Sequence, residues 1–195
     1  MLLLVDNGSK HTPELKEYLK DRHINFVLAK KNSNLKKALR HRFQGAILSG
    51  GPLQYSSNIN IEEVNINLVT LLELKVPILG ICLGHQTIAE AYGGKVRKMK
   101  NTIHKQEKIT VVKHCQLFQG LPRSFYMKEY HQDRVYRLPY KFELLAHSTS
   151  CHIEAIKHKT KPIYGVQFHP EASKEEGYKL LDNFLKICGY NISKT

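Results

Sequence analysis

A cysteine bracketed by glycines, Gly80-Ile81-Cys82-Leu83-Gly84, falls where a short apolar run gives way to a helical pattern. Gly-x-nucleophile-x-Gly at a strand-to-helix junction is the nucleophile-elbow pattern. The glycines relieve crowding, so the backbone can turn sharply and present the side chain at the sheet edge. The thiol would then sit at a helix N-terminus, where the partial positive charge suits an anionic sulfur. The Leu83 N–H would face an oxyanion forming on a carbon attacked by that sulfur. The plainer alternative is an inert core thiol, since free cysteine is among the most buried residue types. The bracketing glycines argue against it.

A cysteine nucleophile needs a base, and the base an orienter. Val166-Gln167-Phe168-His169-Pro170-Glu171 supplies both at the end of a late apolar run. Extended backbone there would put the side chains of His169 and Glu171 on one side. Glu171 would then hold one imidazole nitrogen and leave the other for Cys82. Upstream, Ser49-Gly50-Gly51-Pro52 closes another apolar run, and the glycine pair lets backbone N–H groups approach a ligand, with Gly51 as second oxyanion donor. No Gly-x-x-x-x-Gly-Lys-[Ser/Thr] occurs in the chain, so a P-loop is not expected. The Ser-Gly-Gly start of an ATP-pyrophosphatase loop continues here as Pro-Leu-Gln. No close His/Cys ligand spacing recurs, so no metal site is expected.

These residues require elements to position them. Leu2–Val5, Phe26–Ala29, Gly45–Leu48 and Pro77–Ile81 read as strands. Helical patterns separate and follow them: Glu14–Arg22 after a Thr12-Pro13 start, a short basic Leu35–Arg42, Ile61–Leu74 with Ile61, Val64, Leu68, Leu71 and Leu72 at helical spacing, and Gln86–Tyr92 stopping at Gly93-Gly94. Alternating β and α elements predict an α/β fold, an open and mostly parallel sheet flanked by helices. Such sheets carry their sites at the carboxyl ends of the strands. The second half adds strands at Lys108–Val112, Ser124–Tyr130, Phe142–Ala146, Glu154–Lys157 and Tyr164–Phe168. A last helix is expected from Ser173, with Glu176 completing a capping box, to about Cys188. No repeat or linker divides residues 1–195, which read as one domain.

Composition bounds the function. The chain has 195 residues, 42% of them hydrophobic, enough for a continuous core. It has no apolar run of 18 residues, so no membrane span is expected. The short Met1–Val5 stretch without a basic flank does not resemble a signal peptide. Four dispersed cysteines without a Cys-x-x-Cys pair point to a reducing cytoplasm. Lys and Arg outnumber Asp and Glu by 30 to 17, a net charge of +13. Of those 30 cations 23 are Lys, which lacks the bidentate fork of Arg. With no nucleic-acid-binding motif present, nucleic acid is not the expected partner.

Together, Gly80-Ile-Cys-Leu-Gly-His-Gln86, Ser49-Gly-Gly-Pro52 and Gly165-Val-Gln-Phe-His-Pro-Glu171 resemble the class I (triad) glutamine amidotransferases, in the right order over almost the whole chain. The resemblance implies a flavodoxin-like amidotransferase fold. It implies that Cys82 attacks the side-chain amide of L-glutamine, with His169 as base then acid and Glu171 as its orienter. Through a γ-glutamyl thioester the products would be ammonia and glutamate. Gly51 and Leu83 would hold the oxyanion, and Gln86 with the backbone near Gln132-Asp133 would hold the glutamine. One segment departs from the family pattern, Asp6-Asn7-Gly8-Ser9-Lys10-His11, and its distance from the triad in sequence points to partner contacts more than chemistry.

A glutaminase domain alone makes ammonia without using it, so a synthetase subunit is expected. His131-Gln132-Asp133, Leu145-Ala-His-Ser148 and the Glu154–Gly165 segment resemble the glutaminase subunits of two-subunit, archaeal-type GMP synthases. That likeness implies an ATP-pyrophosphatase partner, MgATP bound there and no cofactor in this chain, and it makes His131 and Asp133 candidates for partner activation. A solvated helix or loop pair is the plainer alternative for those two residues. The glutaminase subunits of anthranilate or aminodeoxychorismate synthase share the triad, as does a stand-alone γ-glutamyl hydrolase. A non-catalytic binder on the same fold is a further alternative, though an intact triad argues against it. Lys95–Lys113 holds seven cations and one acid, Glu107, a basic stretch suited to steering an acidic partner.

Overall fold

The computed structural model describes residues 1–30, 33, 42–57 and 61–192. Its nine strands form one sheet in the order β2-β1-β3-β4-β9-β8-β7-β5-β6. β1 (Leu2–Asp6), β2 (Phe26–Lys30), β3 (Gly45–Leu48), β4 (Ile78–Ile81) and β9 (Ile163–Val166) pair in parallel. That is the doubly wound 2-1-3-4-5 order, in which ligands bind beyond the carboxyl ends of the strands. β8 (Ala155–His158), β7 (Phe142–His147), β5 (Lys95–Val111) and β6 (Ser124–Arg137) extend the sheet by antiparallel pairing. No helix among the described residues is long and apolar enough to cross a membrane.

The parallel strands are apolar on both faces because helices cover both. Leu2, Leu4, Ile47, Leu79 and Ile81 face one layer, with Leu15 and Leu19 of α1 (Thr12–Asp21) and Leu180, Leu181 and Phe184 of α4 (Lys174–Ile187). Leu3, Val5, Ala46, Leu48 and Ile78 face the other, with Ile66 and Leu71 of α2 (Ile61–Glu73) and Ile88 of α3 (Leu83–Ala91). Within α2, Leu72 is 80% exposed rather than part of the apolar stripe, while Asn67 is buried.

Several boundaries differ from expectation for local reasons. Thr12 does not cap α1; it lies inside the helix, and its hydroxyl donates to Asp6 Oδ1 at 2.9 Å. α3 begins at Leu83 rather than Gln86, directly behind the nucleophile. The predicted helix over 35–42 falls, but for Arg42, outside the described residues. β5 begins at Lys95 instead of Lys108, and β6 runs on to Arg137 instead of stopping at Tyr130. The first part of β5 pairs with β6 alone in a two-stranded ribbon. Its side chains are mostly exposed, so it carries no apolar alternation to read.

Candidate active site

Cys82 joins β4 to α3 with φ 49° and ψ −101°, a conformation that costs a non-glycine residue roughly 1–3 kcal/mol. The turn depends on close backbone contact. A Cβ on Gly80 would lie 2.5 Å from the Gly84 carbonyl carbon, and one on Gly84 would run into the Leu48 carbonyl of β3. The elbow is pinned by Cys82 N–H donating to the Val166 carbonyl at 2.8 Å and by Gln86 N–H donating to the Cys82 carbonyl at 3.0 Å. The sulfur donates to the Tyr130 carbonyl at 3.8 Å and accepts from Gln167 Nε2 at 3.6 Å. It is also hydrogen-bonded to His169.

His169 follows β9. Its Nδ1 lies 2.8 Å from Glu171 Oε1, and both side chains are buried. The pairing does not come from extended backbone. His169 has φ −106° and ψ 87°, and Pro170–Ala172 form a turn of 3₁₀ helix, which Pro170 favours through its fixed φ. The turn is anchored to β6: His169 N–H donates to the Lys128 carbonyl at 2.9 Å. Ser173 Oγ donates to the His169 carbonyl at 2.6 Å and accepts from Lys128 N–H at 2.9 Å. That use of its hydroxyl is why Ser173 makes no capping bond to α4. Burial disfavours the His169 imidazolium, but the Glu171 carboxylate and hydrogen bonds to Cys82 and Glu171 outweigh it. The histidine is held well above the ordinary imidazole range, so at neutral pH it is the cation that stabilises a neighbouring thiolate.

The loop after β3 closes over the sulfur. A Cβ on Gly51 would lie 2.5 Å from the Asn7 carbonyl oxygen and 2.8 Å from Leu83 Cδ2, so only glycine fits between the two segments. Asn7 buttresses this loop: its N–H donates to Ser49 Oγ at 2.9 Å and its Nδ2 to the Ser49 carbonyl at 2.8 Å. Asn67 of α2 donates to Asn7 Oδ1 at 2.8 Å from the other side. His11 packs its ring on His169. The Asp6–His11 segment therefore lies against the catalytic residues, although sequence distance suggested otherwise.

A cavity of about 180 Å³ opens over Cys82, lined by Gly51, Gln86, Tyr130, His131, Gln132 and Asp133 among others. β6 supplies its far wall. Along this strand the odd-numbered side chains from Phe125 to Val135 all point inward, so His131 and Asp133 are buried mid-strand rather than solvated in a loop. The Asp133 carboxylate accepts from Ser56 N–H at 2.8 Å and Ser56 Oγ at 2.6 Å. Its carbonyl accepts from Gln86 Nε2 at 2.9 Å, and His131 Nδ1 lies 2.9 Å away. Gln132 is left half-buried at the cavity wall. His85, beside the elbow, is fully buried, which pushes it down to about 3 and keeps it neutral.

Sequence reasoning missed Gln167 and Asn7 as site residues, as well as Glu129 and Glu154. Gln167 lies inside the Gly165–Glu171 motif, and the continued alternation of β6 places Glu129 inward. Asn7 and Glu154 have no comparable pattern around them. Among the described residues, no three His, Cys, Asp or Glu side chains are grouped to hold a metal ion.

Comparison with known proteins agrees with this geometry. The family model for class-I glutamine amidotransferases matches residues 3–188. The glutamine-hydrolyzing GMP synthase subunit of Methanocaldococcus jannaschii is 42% identical over 192 residues, covering 97% of this chain and 98% of that protein. The Pyrococcus furiosus protein of the same name is 40% identical over 190 residues, 97% of this chain and 99% of its own length. The crystal structure of a candidate GMP synthase glutaminase subunit from Thermoplasma acidophilum superimposes with a TM-score of 0.87 at 30% identity, covering 96% of this chain and 93% of that one. A Thermotoga maritima glutamine amidotransferase shares the fold at a TM-score of 0.72 and 18% identity, over 95% of this chain and 82% of that one. A buried cysteine–histidine–glutamate array at a doubly wound sheet, and sequence relatives along almost the full length, place the chain in the class-I glutamine amidotransferase family.

Proposed function

We propose that this chain hydrolyses L-glutamine to glutamate and ammonia as the glutaminase component of a two-subunit GMP synthase. The ammonia passes to an ATP-pyrophosphatase subunit, which uses MgATP to aminate XMP. The observation that carries the chemistry is His169, buried between the Cys82 sulfur and the Glu171 carboxylate at the edge of a cavity. The names and coverage of the archaeal relatives support the GMP synthase assignment.

Glutamine lies in the cavity with its side-chain amide over Cys82. The thiol proton passes to the free nitrogen of His169, and the sulfur attacks the amide carbon. The carbonyl electrons move onto oxygen, where the Leu83 and Gly51 N–H groups stabilise them. His169 returns its proton to the nitrogen, the C–N bond breaks and ammonia leaves. Water then attacks the thioester, again losing a proton to His169, and glutamate departs as the thiol re-forms. Gln86 and Gln132 shape the glutamine site, and His131 and Asp133 respond to the partner.

The partner approaches a basic face. All seven cations of Lys95–Lys113 are exposed, and a second cavity of about 240 Å³ beside His169 is lined by Lys10, His11, His104, Lys105 and Lys128. An acidic partner surface suits both, so association weakens with salt. Four free cysteines support a cytoplasmic setting.

The test is glutamate release from glutamine by the chain alone and with an ATP-pyrophosphatase subunit, XMP and MgATP. Stimulation in the complete mixture is expected, with GMP as product. Absence of stimulation overturns the GMP synthase assignment. Turnover retained in Cys82→Ala overturns the thioester mechanism.

A further inference from the structure

Behind the cavity wall lie two buried acids that the mechanism above does not use. Glu129 occupies an inward position of β6 and is 2% exposed, and Glu154, just before β8, is fully buried. Their carboxyl groups hydrogen-bond to each other. Glu129 Oε2 lies 2.9 Å from His131 Nε2, and Ser148 Oγ donates to Glu154 Oε1 at 2.6 Å. No neighbouring N–H or O–H satisfies Glu129 Oε1 or Glu154 Oε2. Two carboxyl groups in contact and short of donors must hold a proton of their own.

The His131 contacts fix a second proton. The Asp133 carbonyl can only accept, so Nδ1, 2.9 Å from it, carries hydrogen. Nε2 then either accepts from a protonated Glu129 or, as imidazolium, donates to a carboxylate. In both cases one proton lies between Nε2 and Oε2. The chain of contacts closes on itself. The Asp133 carbonyl also accepts from Gln86 Nε2 at 2.9 Å, Gln86 Nε2 donates to Gln167 Oε1 at 3.2 Å, and Gln167 N–H donates to the Glu154 carbonyl at 2.7 Å. The Cys82 sulfur hangs on this ring through Gln167 Nε2.

We propose that Glu129, with Glu154, is a positioning residue for glutamine binding: a proton-sharing acid pair that holds the Asp133 carbonyl and Gln86 in place through His131, and releases them when the pair loses its proton. The proposal rests on the glutaminase activity assigned above. Burial pushes Glu129 up to about 7 and Glu154 well above the ordinary carboxylate range, so release falls on the alkaline side of neutrality. The groups facing Glu129 are Glu154, His169, Glu107 and Lys105, besides His131. Those facing His131 are Glu154, His169, Arg134 and His85, and Cys151 faces both acids.

The test measures kcat and KM for glutamine against pH in the full chain, assayed with its synthetase subunit if that is needed for turnover. The wild type should show a KM that rises above neutral pH. Glu129→Gln, whose amide can donate to His131 Nε2 without a removable proton, should show a KM independent of pH. Glu129→Leu should raise KM roughly tenfold at every pH while kcat changes less, because the buried imidazole loses its partner. A wild-type KM–pH profile in Glu129→Gln, or an unchanged KM in Glu129→Leu, overturns the proposal. Should Glu129→Leu not fold, infrared spectra of the wild type and Glu129→Gln decide independently of activity. A protonated-carboxyl band at neutral pH that changes in Glu129→Gln is expected, and its absence from the wild type overturns the shared proton. Cys82→Ala keeps the two assignments separate, since turnover in that variant removes the glutaminase mechanism and leaves the infrared result standing.

Discussion

The rings of His11 and His169 lie 4.9 Å apart, centroid to centroid, with their planes tilted by 53°. His11 is held from its other side by Glu14, 3.2 Å from its Nδ1. The base is thus gripped by Glu171 at one nitrogen and by a ring against its face. Ring pairs of this kind contribute about 0.5–1.5 kcal/mol. His11→Ala should therefore lower kcat roughly two- to tenfold. His11→Phe, which keeps a ring there, should recover most of the loss. Steady-state glutamate release checks both, and equal losses in the two variants would remove the packing role.

The elbow predicts an inverted stability order. In ordinary positions glycine is less stable than alanine by roughly 0.5–1 kcal/mol. Cys82 has φ 49° and ψ −101°, where alanine keeps the strain and glycine relieves it. Cys82→Gly should be more stable than Cys82→Ala by about 1 kcal/mol, and both should be inactive. Thermal or urea unfolding of the two variants reads this directly. Alanine as the more stable variant would mean that the elbow is not strained.

Gln167 connects the elbow to the substrate wall. It is fully buried, donates to Cys82 Sγ and accepts from Gln86. Gln167→Leu removes the donor to the sulfur and leaves Gln86 Nε2 with one acceptor. Hydrogen bonds to a charged group contribute about 1.5–3 kcal/mol, so kcat/KM should fall roughly 10- to 100-fold. Circular dichroism should show the fold kept. Alkylation of Cys82 by iodoacetamide should change in rate as well. An unchanged rate together with unchanged kcat/KM would show that Gln167 only fills space.

How far these features were legible depends on whether a local pattern records them. The elbow was legible because Gly80 and Gly84 are required by backbone contacts within and beside the motif. The parallel strands were legible because burial on both faces makes them continuous apolar runs. The His169–Glu171 pair was legible as a pair, but the turn that forms it depends on Pro170 and on anchoring to Lys128, a contact distant in sequence. β6 was cut short at Tyr130 because polar Glu129, His131 and Asp133 replace apolar residues on its inner face, although the period of two continues to Val135. The role of Asp6–His11 was not legible, because only the parallel pairing of β1 with β3 brings it beside Gly51.

The charge balance at His169 gives a pH prediction. Burial opposes its cation, and Glu171 and Cys82 overcome that opposition, raising the histidine well above its ordinary value of 6.5. A raised value means that the stabilisation is fully present below the unfolded-state value and is lost as pH rises through the higher folded-state value. The loss therefore falls on the alkaline side, and His169→Asn should flatten the decline of stability there. Activity follows the same group, since the imidazolium must protonate the departing ammonia. Glu171→Gln removes the charge that does most to raise His169, so the alkaline limb of kcat/KM should move to lower pH. Turnover should fall about 100-fold or more, as the neutral amide no longer stabilises the imidazolium. Wild-type and Glu171→Gln profiles measured side by side decide the matter. An alkaline limb at the same pH in both would show that Glu171 orients the ring without setting its charge.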